Sequence, residues 1–196
     1  MSSRIAELDA IVRQFDLNEH PFYQEWRAGT LPIERLAEYA DEWGPFISVV
    51  DQGWDRIGHP AYAEEEREHD ALWSRFRAAL GASGQMSRPQ SRTLLAVGEH
   101  AFASAPETLG ALYSFEVQQP ATATSKLAGL KEHYAGAVGV DAQQYFVEHA
   151  VETDEPAMLA EMIEGLSDGE FARARTACAV FSAAAWGALD GVYYTD

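Results

Sequence analysis

Apolar residues recur along almost the whole chain at the three-to-four-residue spacing of an amphipathic α-helix. In the first such segment, apolar side chains fall on one helical face at Ile5, Leu8, Ile11, Val12 and Phe15. The strict alternation of apolar and polar residues that marks a half-buried strand is absent from the sequence. The pattern predicts an all-α protein, a single compact domain over residues 1–196 built as a bundle of seven to nine helices.

Glycines and prolines divide this pattern into separate helices. Gly29, Gly81 and Gly165 are typical of helix ends, and Pro120 disfavours helical backbone at the residue before it. Thr30 is a candidate capping residue for the helix that follows it. The predicted helices cover residues 5–15, 22–27, 31–50, 61–80, 90–103, 106–119, 121–134, 141–153 and 171–189. The helix over 31–50 has a continuation to residue 58. The helix over 141–153 restarts or kinks at Pro156 and then runs to residue 165.

The charge balance excludes several classes of partner. Fourteen Lys and Arg residues stand against 31 Asp and Glu residues, which gives a net charge of −17. Such a field repels phosphate backbones and anionic lipids, so we expect neither nucleic-acid nor membrane partners. The single cysteine, Cys178, excludes an internal disulfide framework and fits a reducing cytoplasm. We find no signal peptide or spanning segment, and therefore expect a cytoplasmic protein that acts on a small molecule.

Ionisable residues occupy three places where the helical period calls for an apolar side chain. Glu66 and His69 are three residues apart and share a helical face with Trp73. Glu116 continues the apolar stripe of its helix, and no basic residue lies within one turn of it. A buried, unpaired carboxylate is costly, so Glu116 is expected to be neutral, paired across the bundle or bound to a cation.

The third place surrounds His149, which shares its face with Tyr145 and is followed by three acidic residues, Glu152, Asp154 and Glu155. Taken singly, each place is also explained by a hydrogen-bonded core histidine, a helix end in water or a capping acid. Taken together, separate helices supply carboxylates and imidazoles, which is how carboxylate-bridged metal sites are built inside bundles. Oxygen and imidazole ligands without thiolate favour iron or manganese.

Several segments resemble, in order, the motifs of the haem-oxygenase-like superfamily, which includes the TenA thiaminases, the PqqC oxidase and a group of dinuclear metal oxidases. They are residues 20–32, 68–81, 115–120, 131–134 and 145–150. The resemblance extends from about residue 20 to residue 165 and implies the haem-oxygenase-like helical fold. It also implies self-association as a homodimer, which is common in these bundles.

Within this superfamily the pattern is most similar to that of the dinuclear iron oxidases. The resemblance implies metal ligands at Glu66, His69, Glu116, His149 and Asp154. The family pattern also has ligands four and seven residues after His149, where this chain has Thr153 and Pro156. Glu152 or Glu155 replaces them only if the helix kinks at Pro156. An altered dinuclear site, a mononuclear site and a vestigial site all remain open at this point.

The resemblance implies an oxidoreductase that binds Fe(II), as two ions, with manganese as the alternative metal. Such an enzyme uses dioxygen to oxidise a small organic substrate, such as an amino acid or a carboxylic acid, in biosynthesis. Five aromatic residues are candidates to line its pocket or to form plain core: Tyr39, Trp43, Phe46, Trp54 and Tyr113. The alternatives are a metal-independent oxidase similar to PqqC and a non-catalytic binding or regulatory protein with a degenerate metal site. Cys178 does not lie where the TenA nucleophile is expected.

Overall fold

The structure is a computed structural model that describes residues 3–194, where α-helices and short 3-10 turns are the regular elements and no strand occurs. The prediction of an all-α protein is therefore confirmed. The α-helices are Arg4–Val12 (α1), Pro21–Ala28 (α2), Ile33–Ile47 (α3), Val50–Arg56 (α4), Pro60–Ala79 (α5), Pro89–Ala101 (α6), Ala105–Glu116 (α7), Gln119–His133 (α8), Gln144–His149 (α9), Asp154–Glu164 (α10) and Asp168–Tyr193 (α11). Eight of them have nine residues or more, in line with the seven to nine expected. Across residues 3–194, no helix combines the length and the apolar character that crossing a bilayer requires.

Helix α7 lies at the centre of the bundle, and its residues from Thr108 to Glu116 are all buried. It packs against α11, α10 and α4. The approach to α11 is so close that a Cβ atom on Gly110 would lie 1.9 Å from the carbonyl oxygen of Ala174. Only glycine permits this backbone contact. As a result, the C-terminal end of α7, with Glu116, is held deep in the interior.

The segment after residue 140 differs from the continuous or kinked helix that the sequence predicts. A 3-10 turn over Val140–Gln143 leads into α9, which ends at His149, and α10 begins only at Asp154. The residues between them are not helical. Because the chain leaves the helical path there, positions counted forward from His149 no longer predict which side chains share its face.

The helix predicted over residues 31–50 is shorter than expected at both ends. Helix α3 begins at Ile33 after an N-cap at Pro32, and Thr30 does not cap it. The helix ends at Ile47, two residues after Pro45, and α4 starts anew at Val50. The break turns the chain so that α4 packs along α5, the helix that carries Glu66 and His69.

Candidate metal centre

Four of the predicted ligands meet in the interior, where α5, α7 and α9 come together. Glu66 and His69 lie on α5, Glu116 is the last residue of α7, and His149 is the last residue of α9. Each of these residues is at most 6% exposed. The imidazole rings of His69 and His149 lie 4.3 Å apart between their centroids, and Nδ1 of His69 is 3.5 Å from a carboxylate oxygen of Glu66. The structure thus brings these residues together, while their role as ligands stays a prediction.

The fifth predicted ligand, Asp154, lies outside this cluster, and its neighbour Glu155 takes the place. Asp154 is exposed, whereas Glu155 is fully buried in the first turn of α10. The reason is the break before α10, which restarts the helical register after His149. Glu152 and Asp154 instead line a surface pocket of about 590 Å³ together with Tyr62. The structure therefore places Glu155, and not Asp154, beside the other four residues, while a ligand role for either acid stays a prediction.

The buried side chains form two groups of potential ligands that share one residue. Glu66, His69 and His149 make one group, and Glu66, Glu116 and Glu155 make the other. Within each group the ligand atoms all lie within 4.8 Å of one another. Two atoms that bind one ion at about 2.0–2.2 Å lie up to about 4.4 Å apart, so each group is close to the span of a single ion's ligands. Glu66 is the residue common to both groups.

The cluster also has an excess of unused polar atoms, which tests whether metal ions fit it. In the described part of the chain, these buried atoms lack a hydrogen-bond partner: Oε1 of Glu66, Nδ1 of His69, Oε1 of Glu116, Nε2 of His149 and both carboxylate oxygens of Glu155. Buried polar atoms in folded proteins are normally satisfied. A cluster of unsatisfied oxygens and imidazole nitrogens is what one or two divalent cations would complete, so the residues fit a dinuclear metal site.

His149 is oriented for metal binding by its own helix. Its Nδ1–H donates to the carbonyl oxygen of Tyr145 at 2.8 Å, so the lone pair of Nε2 faces the cluster. Burial, together with the neighbouring His69, lowers the pKa of His149 to about 3. The ring is therefore neutral at physiological pH, which is the form that binds a metal. A backbone carbonyl that fixes the tautomer in this way is a common partner of metal-binding histidines.

The carboxylates behave as a crowded, water-poor group. Burial raises the pKa of Glu116 well above its usual range, and repulsion from Glu155 and Glu66 raises it further. Burial, together with repulsion from Glu66, raises the pKa of Glu155 to about 8. Burial alone would lower the pKa of His69, but the carboxylates of Glu66 and Glu155 outweigh it, and the pKa is raised. Without metal the cluster thus holds protons at neutral pH, and binding metal ions has to displace them.

A small chamber lies beside the cluster, on the far side of Tyr145. The ring of Tyr145 packs against His149 at 4.2 Å between centroids, and its hydroxyl accepts a hydrogen bond from the Gln119 amide at 3.4 Å. The chamber is lined mainly by aromatic residues, among them Tyr23, Tyr39, Trp43, Trp73 and Tyr145. The hydroxyls of Tyr23 and Tyr39 are hydrogen-bonded at 2.8 Å. Of the five aromatic candidates, Tyr39 and Trp43 line this chamber, while Phe46, Trp54 and Tyr113 belong to the core elsewhere.

Lys126 also lines this chamber and was not predicted from the sequence. Its ammonium nitrogen lies 4.8 Å from the centre of the Tyr23 ring and 5.4 Å from that of Phe146. Among residues 3–194 it has no hydrogen bond or ion pair. Burial lowers the pKa of Lys126 to about 7. The signal was present, because Lys126 is spaced from Ala123 and Leu130 as a residue of the buried face of α8.

Replacing Lys126 by methionine is expected to raise the free energy of unfolding at neutral pH by about 1–3 kcal/mol, because a buried group without a partner is removed. In the wild type, Lys126 is neutral in the folded state above pH 7, while the unfolded chain stays protonated up to about 10.5. The unfolded state then binds more protons, so this residue makes stability rise with pH across that window. The Lys126→Met variant should lose that rise in denaturant unfolding measured at several pH values.

The exposed Lys131 lies on the same helix, and Lys131→Met is the matched control. The control should keep the wild-type dependence on pH. A Lys126→Met variant whose stability follows the wild type between pH 7 and 10 would contradict the burial of an uncharged amine.

The single thiol takes no part in the cluster. Cys178 is fully buried in α11, and burial raises its pKa to about 12. A thiol in that state is neither a nucleophile nor a metal ligand near neutral pH. Cys178 therefore lies apart from the candidate ligands, in the interior of α11.

Among named proteins, the chain is similar to the 4-aminobenzoate synthase of Nitrosomonas europaea, at 28% identity over 95% of this chain and 89% of that protein. It is 29% identical to the 4-aminobenzoate synthase of Chlamydia muridarum, over 73% of this chain and 70% of that protein. No family model matches the sequence.

Solved structures share the arrangement of the helices. A TenA homologue from Pseudomonas syringae pv. tomato superposes with a TM-score of 0.80 at 15% identity, over 98% of this chain and 91% of that one. A TenA homologue from P. horikoshii superposes with a TM-score of 0.76 at 13% identity, over 98% of this chain and 99% of that one. At such low identity the likeness is one of fold.

Proposed function

The chain has the fold of the haem-oxygenase-like superfamily, and from this premise we propose that it is a dinuclear metal-dependent oxidase that takes part in making 4-aminobenzoate or a related aromatic amino acid. The resemblance noted from the sequence motifs is confirmed by the TenA structures and by the similarity to named synthases. Those relatives are biosynthetic enzymes by name, which agrees with the expectation of an enzyme. The reaction and the metal are our proposal.

The observation that carries the proposal is the pair of buried ligand groups that share Glu66. Each group offers three oxygen or imidazole donors, and no thiolate is near them. This donor set suits iron, with manganese as the alternative metal in either position. A binding protein without catalysis has no need to bury several carboxylates at the free-energy cost that their raised pKa values reflect.

The side chains of this chain have defined roles in such a site. Glu66, His69 and His149 would hold one ion, and Glu66, Glu116 and Glu155 would hold the other. If iron binds there, it would supply electrons for the reduction of dioxygen. Tyr145 separates the cluster from the aromatic chamber, whose walls exclude bulk water from the reaction. A dry environment strengthens the electrostatic interactions between the ligands and the ions.

The test begins with metal-free protein that is reloaded anaerobically with Fe(II), with Mn(II) or with both. We expect two ions per chain by metal analysis, followed by dioxygen consumption when air is admitted. The proposal is overturned if the protein takes up no metal, or if the loaded protein consumes no dioxygen. Activity that persists in the presence of a chelator would instead favour a metal-independent oxidase.

A second test asks about the product inside cells. A bacterial strain unable to make 4-aminobenzoate is expected to grow without supplement when it expresses this chain. The same strain expressing a Glu66→Gln variant should not grow, whereas a variant at the neighbouring exposed residue, Glu65→Gln, should restore growth. If growth requires the chain but not Glu66, the chain makes the product without the metal cluster.

A further inference from the structure

We propose that the aromatic chamber beside Tyr145 is the site that receives dioxygen, and that dioxygen enters it past Gln118 from a mouth between α1 and the α7–α8 junction. This inference rests on the proposed function, because it assigns a route to the oxidant of that reaction. It follows from the size of the chamber, the residues that it shares with the mouth, and the two hydrogen bonds of Gln118.

The chamber has the size and the lining of a gas site. The space left inside it is about 10 Å³, which is what one water-sized molecule requires. An aromatic acid does not fit that space unless side chains move. Eight of its twelve lining residues are aromatic or aliphatic, and the polar remainder is Gln118, Gln119, Thr122 and Lys126. The apolar part of this wall suits an apolar gas. Tyr145 forms the wall between the chamber and the imidazole of His149.

The mouth is a surface cavity of about 190 Å³ lined by α1, the turn that follows it, and the start of α8. Its rim carries Asp9, Arg13 and Ala121. Gln118 and Thr122 line both this cavity and the chamber, so the two spaces meet at these side chains. Gln118 and Thr122 thus form a wall that the two cavities have in common.

Gln118 holds this partition closed by bonding to two different elements. Its Oε1 accepts a hydrogen bond from the backbone N–H of Leu17 at 2.9 Å, and its Nε2 donates to the carbonyl oxygen of Ser114 at 3.0 Å. The side chain is 8% exposed, so one edge of it still reaches solvent. Gln118 belongs to the junction between α7 and α8, where a rotation of one side chain can open the passage without displacing a helix.

The other cavities in residues 3–194 are poorer candidates for the entrance. A groove of about 810 Å³ between α6 and α11 shares no lining residue with the chamber. The acidic pocket of about 590 Å³ near Tyr62 and Asp154 shares none either. The mouth beside α1 is thus the cavity that the structure connects to the chamber.

The route is tested by filling the mouth from outside. Ala121 is exposed, so Ala121→Trp adds bulk at the rim without disturbing the core. Ala96→Trp makes the same substitution at an exposed residue of the unrelated groove and is the matched control. After anaerobic loading with Fe(II), stopped-flow mixing with dioxygen should show a several-fold slower reaction in Ala121→Trp and wild-type rates in Ala96→Trp. A folded, fully loaded Ala121→Trp variant that reacts at the wild-type rate would overturn the route.

A second measurement needs neither metal nor activity. Xenon serves as an apolar probe of gas sites. Crystals of metal-free protein under xenon pressure are expected to show an atom in the chamber, and xenon exchange followed by NMR should be slower in Ala121→Trp than in Ala96→Trp. A chamber that stays empty under pressure would overturn the gas site. Should the wild type consume no dioxygen while xenon enters as described, the proposed function fails and the gas site with its entrance stands.

Discussion

Replacing Glu66 by glutamine is expected to abolish metal binding at both positions of the cluster. Glu66 belongs to each of the two ligand groups, so its loss leaves two protein donors in one group and two in the other. An amide cannot replace the negative charge that a bridging carboxylate places between two cations. Metal analysis after anaerobic loading should fall from two ions per chain to fewer than one. The exposed Glu65, the preceding residue on α5, provides the control variant Glu65→Gln.

The same variant should not be less stable than the wild type when both are free of metal. Three carboxyl groups lie within 4.8 Å of one another there, and removing one of them relieves repulsion and desolvation. With metal the order reverses, because ions present at 100 times their Kd stabilise the wild type by about 2.7 kcal/mol. Thermal unfolding with and without Mn(II) measures both effects. A Glu66→Gln variant that still binds two ions, or that gains as much stability from them, would contradict the shared-ligand geometry.

The second large effect is expected from adjacent residues of α10. Glu155→Gln should bind one ion instead of two, because Glu66, His69 and His149 remain as a complete group. Asp154→Asn should bind two ions, since Asp154 is exposed and faces the acidic surface pocket. Both variants remove one charge at neighbouring positions, so each is the control for the other. Metal stoichiometry by mass spectrometry under native conditions distinguishes them.

The opposite outcome has a clear meaning as well. One ion in Asp154→Asn and two in Glu155→Gln would place α10 in a different register from the one described. It would also make Asp154, the ligand predicted from the sequence, the ligand on α10. Loss of both ions in Glu155→Gln would show that the two ions bind only as a pair.

The fold was predictable because helical periodicity is a local property of the chain. Each helix from α5 to α8 repeats its apolar face over three turns or more, and a pattern of that length identifies the element without tertiary information. Short elements were harder. Helix α9 has only six residues, and Pro156 indicates a restart of the helix without identifying Asp154 as the residue where α10 begins. The break after His149 is fixed by packing against α5 and α8 and not by a glycine or proline at that point.

In the candidate site too, residues on regular helices were predictable from the sequence and the residue after the break was not. Glu66, His69, Glu116 and His149 lie on regular helices, and their position on an apolar face singled them out. Glu155 was only one of three acids after His149, because the register is reset between the two helices. Its burial depends on contacts of α10 with α7, which lie far away in sequence.

Two contacts between a side chain of one element and a different element were not predicted from the sequence. Lys126 lies over Tyr23 of α2, and Gln118 joins α7 to the turn at Leu17. Neither contact follows from the period of one helix, because each depends on where a different segment passes.

The shared use of Glu66 also has a consequence for how long the protein persists in a cell. The candidate ligands lie on four helices, α5, α7, α9 and α10, so the complete cluster exists only in the folded chain. Ions that bind the native state alone reduce the fraction of molecules that are open to proteases. When iron and manganese are scarce, the native state loses this stabilisation, and we expect the protein to be degraded faster. The supply of metal would then set the amount of this protein as well as its activity.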